Sequence, residues 1–234
     1  MKITIINGSP RNGNTCEATQ IFKNEMLKYG SIEFTEFSLP KDMPNFCHGC
    51  MNCFEKGENF CPNTKYVTPI LNAMLESDAI IMTTPVYVLN TVGTVKSFLD
   101  HFGFMFLVHR ANPKMFTKKA FIIATTAGGG TGTAIKTIAT SLKFWGINRV
   151  YSSGYALFET TWDNMKPKRK AKFESKIQKD AKKFYFDIAS RKKHLPYFQA
   201  RLIFAFSRMV IKGNVNTLDY AHWENNNWFE KSPF

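Results

Sequence analysis

The sequence predicts an α/β protein built on a doubly wound parallel sheet. Short apolar runs of strand length alternate with segments whose apolar residues recur at helical spacing, and five such pairs follow one another. Glycine or proline follows several of the apolar runs, as expected where a buried strand enters a loop. With 234 residues, 44% of them hydrophobic, the chain has room for one main domain and an appendage.

The first half of the chain supplies three strands and two helices. We predict strands at residues 2–7, 32–39 and 78–84. Pro85 closes the third strand in this prediction. The first helix ends at Gly30, and its apolar residues at helical spacing are Ala18, Ile21, Phe22, Met26 and Tyr29. Between the second and third strands lie a cysteine-bearing loop and a helix near residues 66–75.

The second half supplies two further strands, at residues 119–126 and 149–158, and three helices. Each helix is predicted from apolar residues that share one face. These faces consist of Val95, Phe98, Leu99 and Phe102, then of Ala134, Ile138, Leu142 and Trp145, and finally of Phe173, Ile177, Ala181, Phe184 and Ile188. Strict alternation of strands and helices indicates parallel strands with helices on both faces of the sheet.

The net charge is strongly positive and concentrated in one segment. The chain carries 31 Lys and Arg against 18 Asp and Glu, for a formal charge of +13, and residues 164–193 alone hold twelve of the basic residues and three of the acids. A nucleic-acid-binding protein would spread such residues over a recognition fold, and no such motif occurs, so we expect no nucleic-acid partner. The amino-terminal apolar run stops at Ile6, too early for a signal peptide, which predicts a cytoplasmic protein.

Three of the predicted strands end in loops that could bind one ligand, because ligands of such sheets lie beyond the carboxyl ends of the strands. Residues 8–15 combine glycines, hydroxyls, amides and Arg11 before a helix amino terminus, which predicts a phosphate-binding site; an ordinary capped turn is the alternative. Residues 84–91 offer an aromatic ring and an amide. Residues 125–131 offer backbone N–H groups at three consecutive glycines. Together the loops could hold a flat heteroaromatic ring by its edge.

These motifs, in this order, resemble those of the NAD(P)H-dependent FMN reductase and iron-sulfur flavoprotein family of flavodoxin-like proteins. The resemblance rests on residues 8–15, on residues 85–87 followed by residues 96–100, and on the glycine-rich loop at Gly128. It covers residues 1–158 in order and spacing. It implies a five-stranded parallel sheet of order 2-1-3-4-5, FMN as the bound cofactor and NAD(P)H as co-substrate.

The resemblance also implies which residues bind the cofactor. Ser9, Arg11, Asn14 and Thr15 would hold the FMN phosphate. Pro85, Val86, Tyr87 and Asn90 would line the ribityl chain and the isoalloxazine ring, and Thr126, Gly128 and Gly129 would meet its pyrimidine edge. The flavin N5 carries the chemistry in such proteins, so no side chain is expected to be catalytic.

Four cysteines form a second motif. Cys47, Cys50, Cys53 and Cys61 are spaced Cys-x2-Cys-x2-Cys-x7-Cys. Three closely spaced ligands and a more distant fourth suit a [4Fe-4S] cluster, and the motif resembles that of iron-sulfur flavoproteins. A four-cysteine zinc site and reduced thiols in a structured loop are the alternatives.

The carboxyl-terminal part of the chain lies outside the family motifs. We predict an FMN-binding domain at residues 1–190 and an extension at residues 191–234 with an apolar helix and an aromatic tail. Residues 201–211 are apolar nearly all round, so something must cover them. We predict a homodimer in which Phe204, Phe206 and Met209 are buried against protein. The alternative is a segment that lies on an anionic membrane surface.

These observations predict an oxidoreductase that accepts hydride from NAD(P)H on FMN and passes electrons to a quinone, another flavin or a small electrophile. The chief alternative is an iron-sulfur flavoprotein that exchanges single electrons with ferredoxin-like partners through its cluster. A non-enzymatic alternative is a nucleotide-sensing or membrane-associated module that uses the phosphate site without turnover. No acidic or basic residue that would discriminate NADH from NADPH is recognisable.

Overall fold

A computed structural model describes residues 1–233 of the chain. Five strands form a parallel sheet: β1 (Lys2–Asn7), β2 (Glu33–Ser38), β3 (Ala79–Tyr87), β5 (Lys119–Thr126) and β6 (Arg149–Ala156). Their spatial order is β2-β1-β3-β5-β6. A two-residue strand, β4 (Asn90–Thr91), pairs antiparallel with the end of β3. Counting the parallel strands alone, the order is 2-1-3-4-5, and the flavodoxin-like fold is confirmed.

Helices cover both faces of this sheet. Along the chain they are α1 (Asn14–Leu27), α2 (Leu39–Asp42), α3 (Asn52–Glu55), α4 (Thr64–Glu76), α5 (Gly93–His101), α6 (Thr131–Phe144), α7 (Pro167–Ala189), α8 (Phe198–Lys212) and α9 (Leu218–Asn225). Helices α1 and α7 bury their apolar faces against one side of the sheet, and α4, α5 and α6 bury theirs against the other. Because side chains of a strand alternate between faces, β1 contributes Ile3 and Ile5 to the first core and Ile6 to the second.

The carboxyl ends of three strands differ from the prediction, and that of β2 does so by one residue, at Ser38 instead of Leu39. The prediction that Pro85 closes the third strand is wrong, because β3 continues to Tyr87 and Pro85 pairs with Thr125 of β5. The register of β1 on β3 ends at Thr83, so the missing N–H of Pro85 removes no hydrogen bond to β1. Strand β6 ends at Ala156, two residues before the predicted end at 158.

The carboxyl-terminal extension closes on the main domain through its own small core. Phe204 of α8 stacks on Trp223 of α9 with ring centroids 4.4 Å apart, and both pack with Leu107 and Trp228. Phe204 is therefore buried by its own chain, without a partner subunit, whereas Phe206 and Met209 are 64% and 69% exposed. Among residues 1–233, no helix combines the length and apolarity needed to cross a membrane. The boundary after residue 190 stays a prediction.

Replacing Gly8 by Ala should destabilise the fold at the start of the first loop. A Cβ there would lie 2.2 Å from Val95 Cγ2 and 2.7 Å from the Thr83 carbonyl oxygen. We expect the free energy of unfolding to fall by about 1–3 kcal/mol, the usual cost of overpacking. Denaturant unfolding of the purified protein measures this change.

The matched control is Gly93→Ala, because a Cβ at Gly93 meets no atom within 4 Å. Its free energy of unfolding should be unchanged or slightly higher. Equal stability of the Gly8 and Gly93 variants would contradict the close approach of Gly8 to β3 and α5.

Candidate functional site

The carboxyl ends of β1, β3 and β5 bring the three predicted loops together at one end of the sheet. The Gly8 N–H donates to the Thr83 carbonyl at 2.9 Å, which joins the first loop to β3. The hydroxyls of Thr15 and Thr125 lie 2.6 Å apart in a buried hydrogen bond, which joins it to β5. The second and third loops also touch, since a Cβ on Gly130 would lie 2.7 Å from Leu89 Cα.

Asn7, the last residue of β1, shapes the first loop. Its Oδ1 accepts hydrogen bonds from the Ser9 N–H and the Thr83 hydroxyl, both at 3.1 Å. The Ser9 hydroxyl in turn donates to the Arg11 carbonyl at 2.6 Å. The donor groups of Ser9 are therefore used to fold the loop, and the loop presents other donors to a ligand.

Arg11 and the amino terminus of α1 are those other donors. Arg11 is exposed, and no ion pair to a carboxylate involves it anywhere in residues 1–233. The first N–H groups of a helix have no acceptor within the helix, and the helix dipole favours an anion beside them. An unpaired guanidinium next to such a terminus fits a phosphate group.

Asn14 connects this loop to the segment after β6. Its Nδ2 donates to the carbonyl oxygens of Glu159 and Thr160 at 3.4 and 3.3 Å. Its Oδ1 is buried and, within the described part of the chain, has no hydrogen-bond partner. A buried acceptor without a donor is costly, so this oxygen fits a hydroxyl of a bound ligand. The segment after β6, at Glu159 and Thr160, therefore forms a fourth side of the site, which the sequence analysis did not predict.

The second loop is a tight hairpin with strained backbone. Val86 pairs with Thr91 and Tyr87 with Asn90, which leaves Val88 and Leu89 as the two turn residues, with φ of 49° and 59°. Such turns favour Asn or Gly, because a β-branched residue is strained at positive φ. Val88 is also 98% exposed. Strained and exposed apolar residues at a ligand site indicate a functional role.

Asn90 is held by its neighbours in this hairpin. Its Oδ1 accepts from the Thr137 hydroxyl of α6 at 3.0 Å and from the Thr91 N–H at 2.8 Å. Pro85 and Val86 are half-buried at the end of β3, and Tyr87 is 41% exposed. The exposed ring and the two turn residues after it form an apolar wall beside the loops.

The third loop leaves its glycine backbone open. The Thr126 hydroxyl accepts from the Gly128 N–H at 3.1 Å and donates to the Gly129 carbonyl at 3.0 Å. A Cβ on Gly128 or on Gly129 would meet no atom within 4 Å. The fold therefore has no packing reason for glycine at these two positions. The open space in front of them fits the edge of a flat ring.

The structure thus gathers all three loops, and several of the predicted hydroxyls make hydrogen bonds within the protein. The hydroxyls of Ser9, Thr15 and Thr126 bond to neighbouring protein groups. Sequence reasoning missed Asn7 and Thr125, which organise these loops. The signal that could have found them is their position as polar residues at the ends of otherwise apolar strands.

The cysteine loop lies between β2 and α4. All four of its thiols are free; Cys47 and Cys50 are exposed, and Cys53 and Cys61 are half-buried. Burial raises the pKa of the Cys53 and Cys61 thiols, and the neighbouring thiols of the motif raise both further. Across residues 1–233, no three His, Cys, Asp or Glu side chains are gathered for one metal ion.

A buried guanidinium stands beside this loop. Arg110 donates to the Cys53 carbonyl oxygen, to Asp219 Oδ1 at 2.6 Å and to Glu58 Oε2 at 3.4 Å. Asp219 also lies 2.8 Å from His109 Nδ1. Burial opposes ionisation of Asp219, but the His109 and Arg110 contacts keep its pKa below the usual value. The fixed positive charge suits a loop whose thiolates would carry negative charge around a cluster.

Comparison with known families identifies the fold and its cofactor. The model of the NADPH-dependent FMN reductase family matches residues 1–163. The chain belongs to this family. It is therefore an NAD(P)H-dependent FMN oxidoreductase, with FMN as cofactor and NAD(P)H as co-substrate. The open glycine loop and the unpaired Arg11 agree with FMN at this end of the sheet.

Curated relatives are named iron-sulfur flavoproteins. One from Clostridioides difficile (strain 630) is 32% identical over 197 residues, which is 82% of this chain and 81% of the relative. Another, from Archaeoglobus fulgidus, is 29% identical over 180 residues, covering 76% of this chain and 79% of the relative. The chain thus spans most of the length of both relatives.

Solved structures share the fold at lower identity. An NADH:FMN oxidoreductase in its apo form matches with a TM-score of 0.59 and 19% identity, covering 86% of this chain and 98% of that one. An FMN-dependent NADH-azoreductase from Bacillus anthracis, solved in complex with FMN, matches with a TM-score of 0.60 and 13% identity, covering 79% of this chain and 100% of that one.

Replacing Gly129 by Ala should weaken FMN binding without affecting the fold. The new methyl group would occupy the open space in front of the loop, where the ring edge is expected. We expect FMN affinity to fall roughly tenfold, since forcing a methyl into a filled site costs about 1–3 kcal/mol. Fluorescence titration of the apoprotein with FMN measures the affinity, and thermal unfolding of the apoprotein should be unchanged.

Gly132→Ala is the matched control, because Gly132 is the second residue of α6 and its Cβ would also meet nothing within 4 Å. This variant should bind FMN like the unmodified protein. If both variants bind FMN normally, the ring edge does not meet the glycine loop.

Proposed function

We propose that this FMN oxidoreductase passes electrons from NAD(P)H to a small acceptor, which is a quinone, another flavin or a small electrophile. The proposal rests on the open face between the hairpin at Tyr87 and the glycine loop at Gly128 and Gly129. A flat nicotinamide must stack on the flavin for hydride transfer, and a flat acceptor can use the same face after the oxidised nicotinamide leaves.

The chain's own residues position the cofactor for this exchange. FMN supplies the hydride acceptor when bound, at N5. Arg11 and the amino terminus of α1 would hold the phosphate, and the buried Asn14 Oδ1 would accept a hydrogen bond from a hydroxyl of the cofactor. The Gly129 N–H would meet the pyrimidine edge, in the open space beside Gly128. Hydrogen bonds from the protein to this edge stabilise the negative charge that reduction places on the ring.

Anaerobic stopped-flow mixing tests this proposal. FMN-loaded protein mixed with NADH or NADPH should lose its flavin absorbance, because hydride transfer reduces the ring. Subsequent addition of a quinone should restore the absorbance. A flavin that only one-electron donors reduce would contradict the proposal and favour an electron carrier.

A second candidate function is supported by the cysteine loop. We propose that Cys47, Cys50, Cys53 and Cys61 bind a [4Fe-4S] cluster that exchanges single electrons with ferredoxin-like partners. The buried Arg110 beside Cys53 and the relatives named iron-sulfur flavoproteins support it. The loop's exposed Cys47 and Cys50 would leave such a cluster near the surface, where a protein partner can approach.

Replacing Cys47 by Ser should remove iron from the protein. After anaerobic purification and reconstitution, iron and sulfide analysis of the unmodified protein should approach about four of each per chain, as a cubane cluster requires. The Cys47 variant should lose most of this iron, because serine is a poor ligand for the cluster. The FMN content of both proteins should be equal.

Cys16→Ser is the control, since Cys16 lies on α1 outside the motif. This variant should keep its iron. Iron-free unmodified protein, or equal loss in both variants, would contradict a cluster on the four-cysteine loop.

A further inference from the structure

Helix α8 is apolar on two opposite faces, and only one of them is covered. The inner face, Ala200, Phe204, Ser207 and Ile211, is buried in the core of the extension. The opposite face carries an apolar row that we call the outer stripe: Phe198, Leu202, Phe206 and Met209, which are 71%, 54%, 64% and 69% exposed. Their spacing of four, four and three residues places them on one side of the helix.

Positive charge borders the outer stripe. Arg201, Arg208 and Lys212, at spacings of seven and four residues, follow one flank of α8. Residues 188–217 contain no Asp or Glu. Just before the helix, the exposed cations Arg191, Lys192 and Lys193 precede Leu195, which is 86% exposed. An apolar row flanked by cations with no acids is typical of helices that lie in a lipid interface.

A small cavity is lined both by cations and by apolar residues of the outer stripe. Among the described residues, Arg201 and Arg208 line a cavity of about 330 Å³ together with Phe198 and Leu202 of the outer stripe. Two guanidinium groups beside apolar side chains match the chemistry of a phosphodiester headgroup attached to an acyl chain.

We propose that the outer stripe docks on the surface of an anionic lipid bilayer, with α8 lying in the plane of the interface. The 15 residues of α8 span roughly 22 Å, which is less than the bilayer's hydrocarbon core of about 30 Å. The stripe enters the headgroup region, while the flanking cations pair with lipid phosphates.

A second copy of the chain is the competing occupant, and the charges oppose it. In a symmetric dimer the same patch meets itself. Two outer stripes face to face would bring together two sets of Arg201, Arg208 and Lys212, with no acid between residues 188 and 217 to pair with them. Like charges across an interface disfavour association, whereas an anionic membrane supplies the missing counter-charge.

Vesicle sedimentation of the full-length, FMN-loaded protein tests the proposal. The protein should sediment with vesicles of phosphatidylcholine and phosphatidylglycerol and remain in solution with phosphatidylcholine alone. Binding should weaken as salt rises, because salt screens the attraction between cations and the surface. Light scattering after gel filtration gives the oligomeric state in the same buffer.

Matched variants test the contribution of the apolar outer stripe to vesicle binding, with retention of FMN as the check that the fold is intact. Leu202→Ser should weaken vesicle binding by roughly tenfold, since it removes a side chain that enters the interface. Leu27→Ser is the control, because Leu27 on α1 is similarly exposed, at 47%, but lies outside the stripe. Both variants should keep FMN, which shows that the fold is intact.

A second pair of variants tests whether binding depends on where the cations lie or only on the net charge. Changing Arg191, Lys192 and Lys193 to Gln should weaken binding on the order of a hundredfold, because each cation near such a surface contributes about fivefold. The same change at Lys168, Lys172 and Lys179, which are exposed on α7, should have a much smaller effect. Equal losses in the two triple variants would overturn the proposal, since net charge alone would then explain binding.

Two other outcomes would also overturn it. One is vesicle binding that Leu202→Ser leaves unchanged. The other is a stable dimer that does not bind vesicles and that Leu202→Ser converts to monomer, which would assign the outer stripe to a second copy of the chain.

Discussion

The site depends on the position of β1 between β2 and β3. Chain order reverses there, so the loops after β1 and β3 diverge to opposite faces of the sheet and leave a crevice between them. Gly8 can enter this crevice only because it has no side chain, and its backbone bonds to Thr83 on one side and to Thr94 on the other. The first loop is thus fixed before any ligand binds, and the other loops are built around it.

Buried parallel strands could be predicted from sequence more accurately than the short elements between them. Strands β1 and β5 begin and end at the predicted residues, because strands covered on both faces are continuous apolar runs. Strand β4 was missed, since its turn has Val88 and Leu89 where hairpin turns ordinarily have Asn or Gly. A strained turn gives no local sequence signal, because the surrounding structure, through Gly130 and Thr137, imposes it.

Within the site, the sequence indicated which loops meet but not which atoms are free. The Thr15 hydroxyl forms a hydrogen bond with that of Thr125, a residue 110 positions away. The Asn14 amide N–H group donates to carbonyl oxygens 145 and 146 positions away. Such pairings follow from tertiary packing alone. For the same reason Arg110 could not be predicted as part of this site, because its partner Asp219 is 109 positions further along the chain.

The carboxyl-terminal extension therefore does more than cover part of the main domain. Trp223 of α9 donates from Nε1 to the His109 carbonyl at 2.7 Å, and Asp219 of the same helix binds the His109 ring and the Arg110 guanidinium. Without Asp219, Arg110 would be a buried cation that lacks its main counter-ion, and its bond to the Cys53 carbonyl would be less well fixed. The order of the cysteine loop is consequently linked to the docking of the tail. The uncovered face of α8 belongs to the same tail, so the extension physically connects the loop that would carry a cluster with the surface that would meet a membrane.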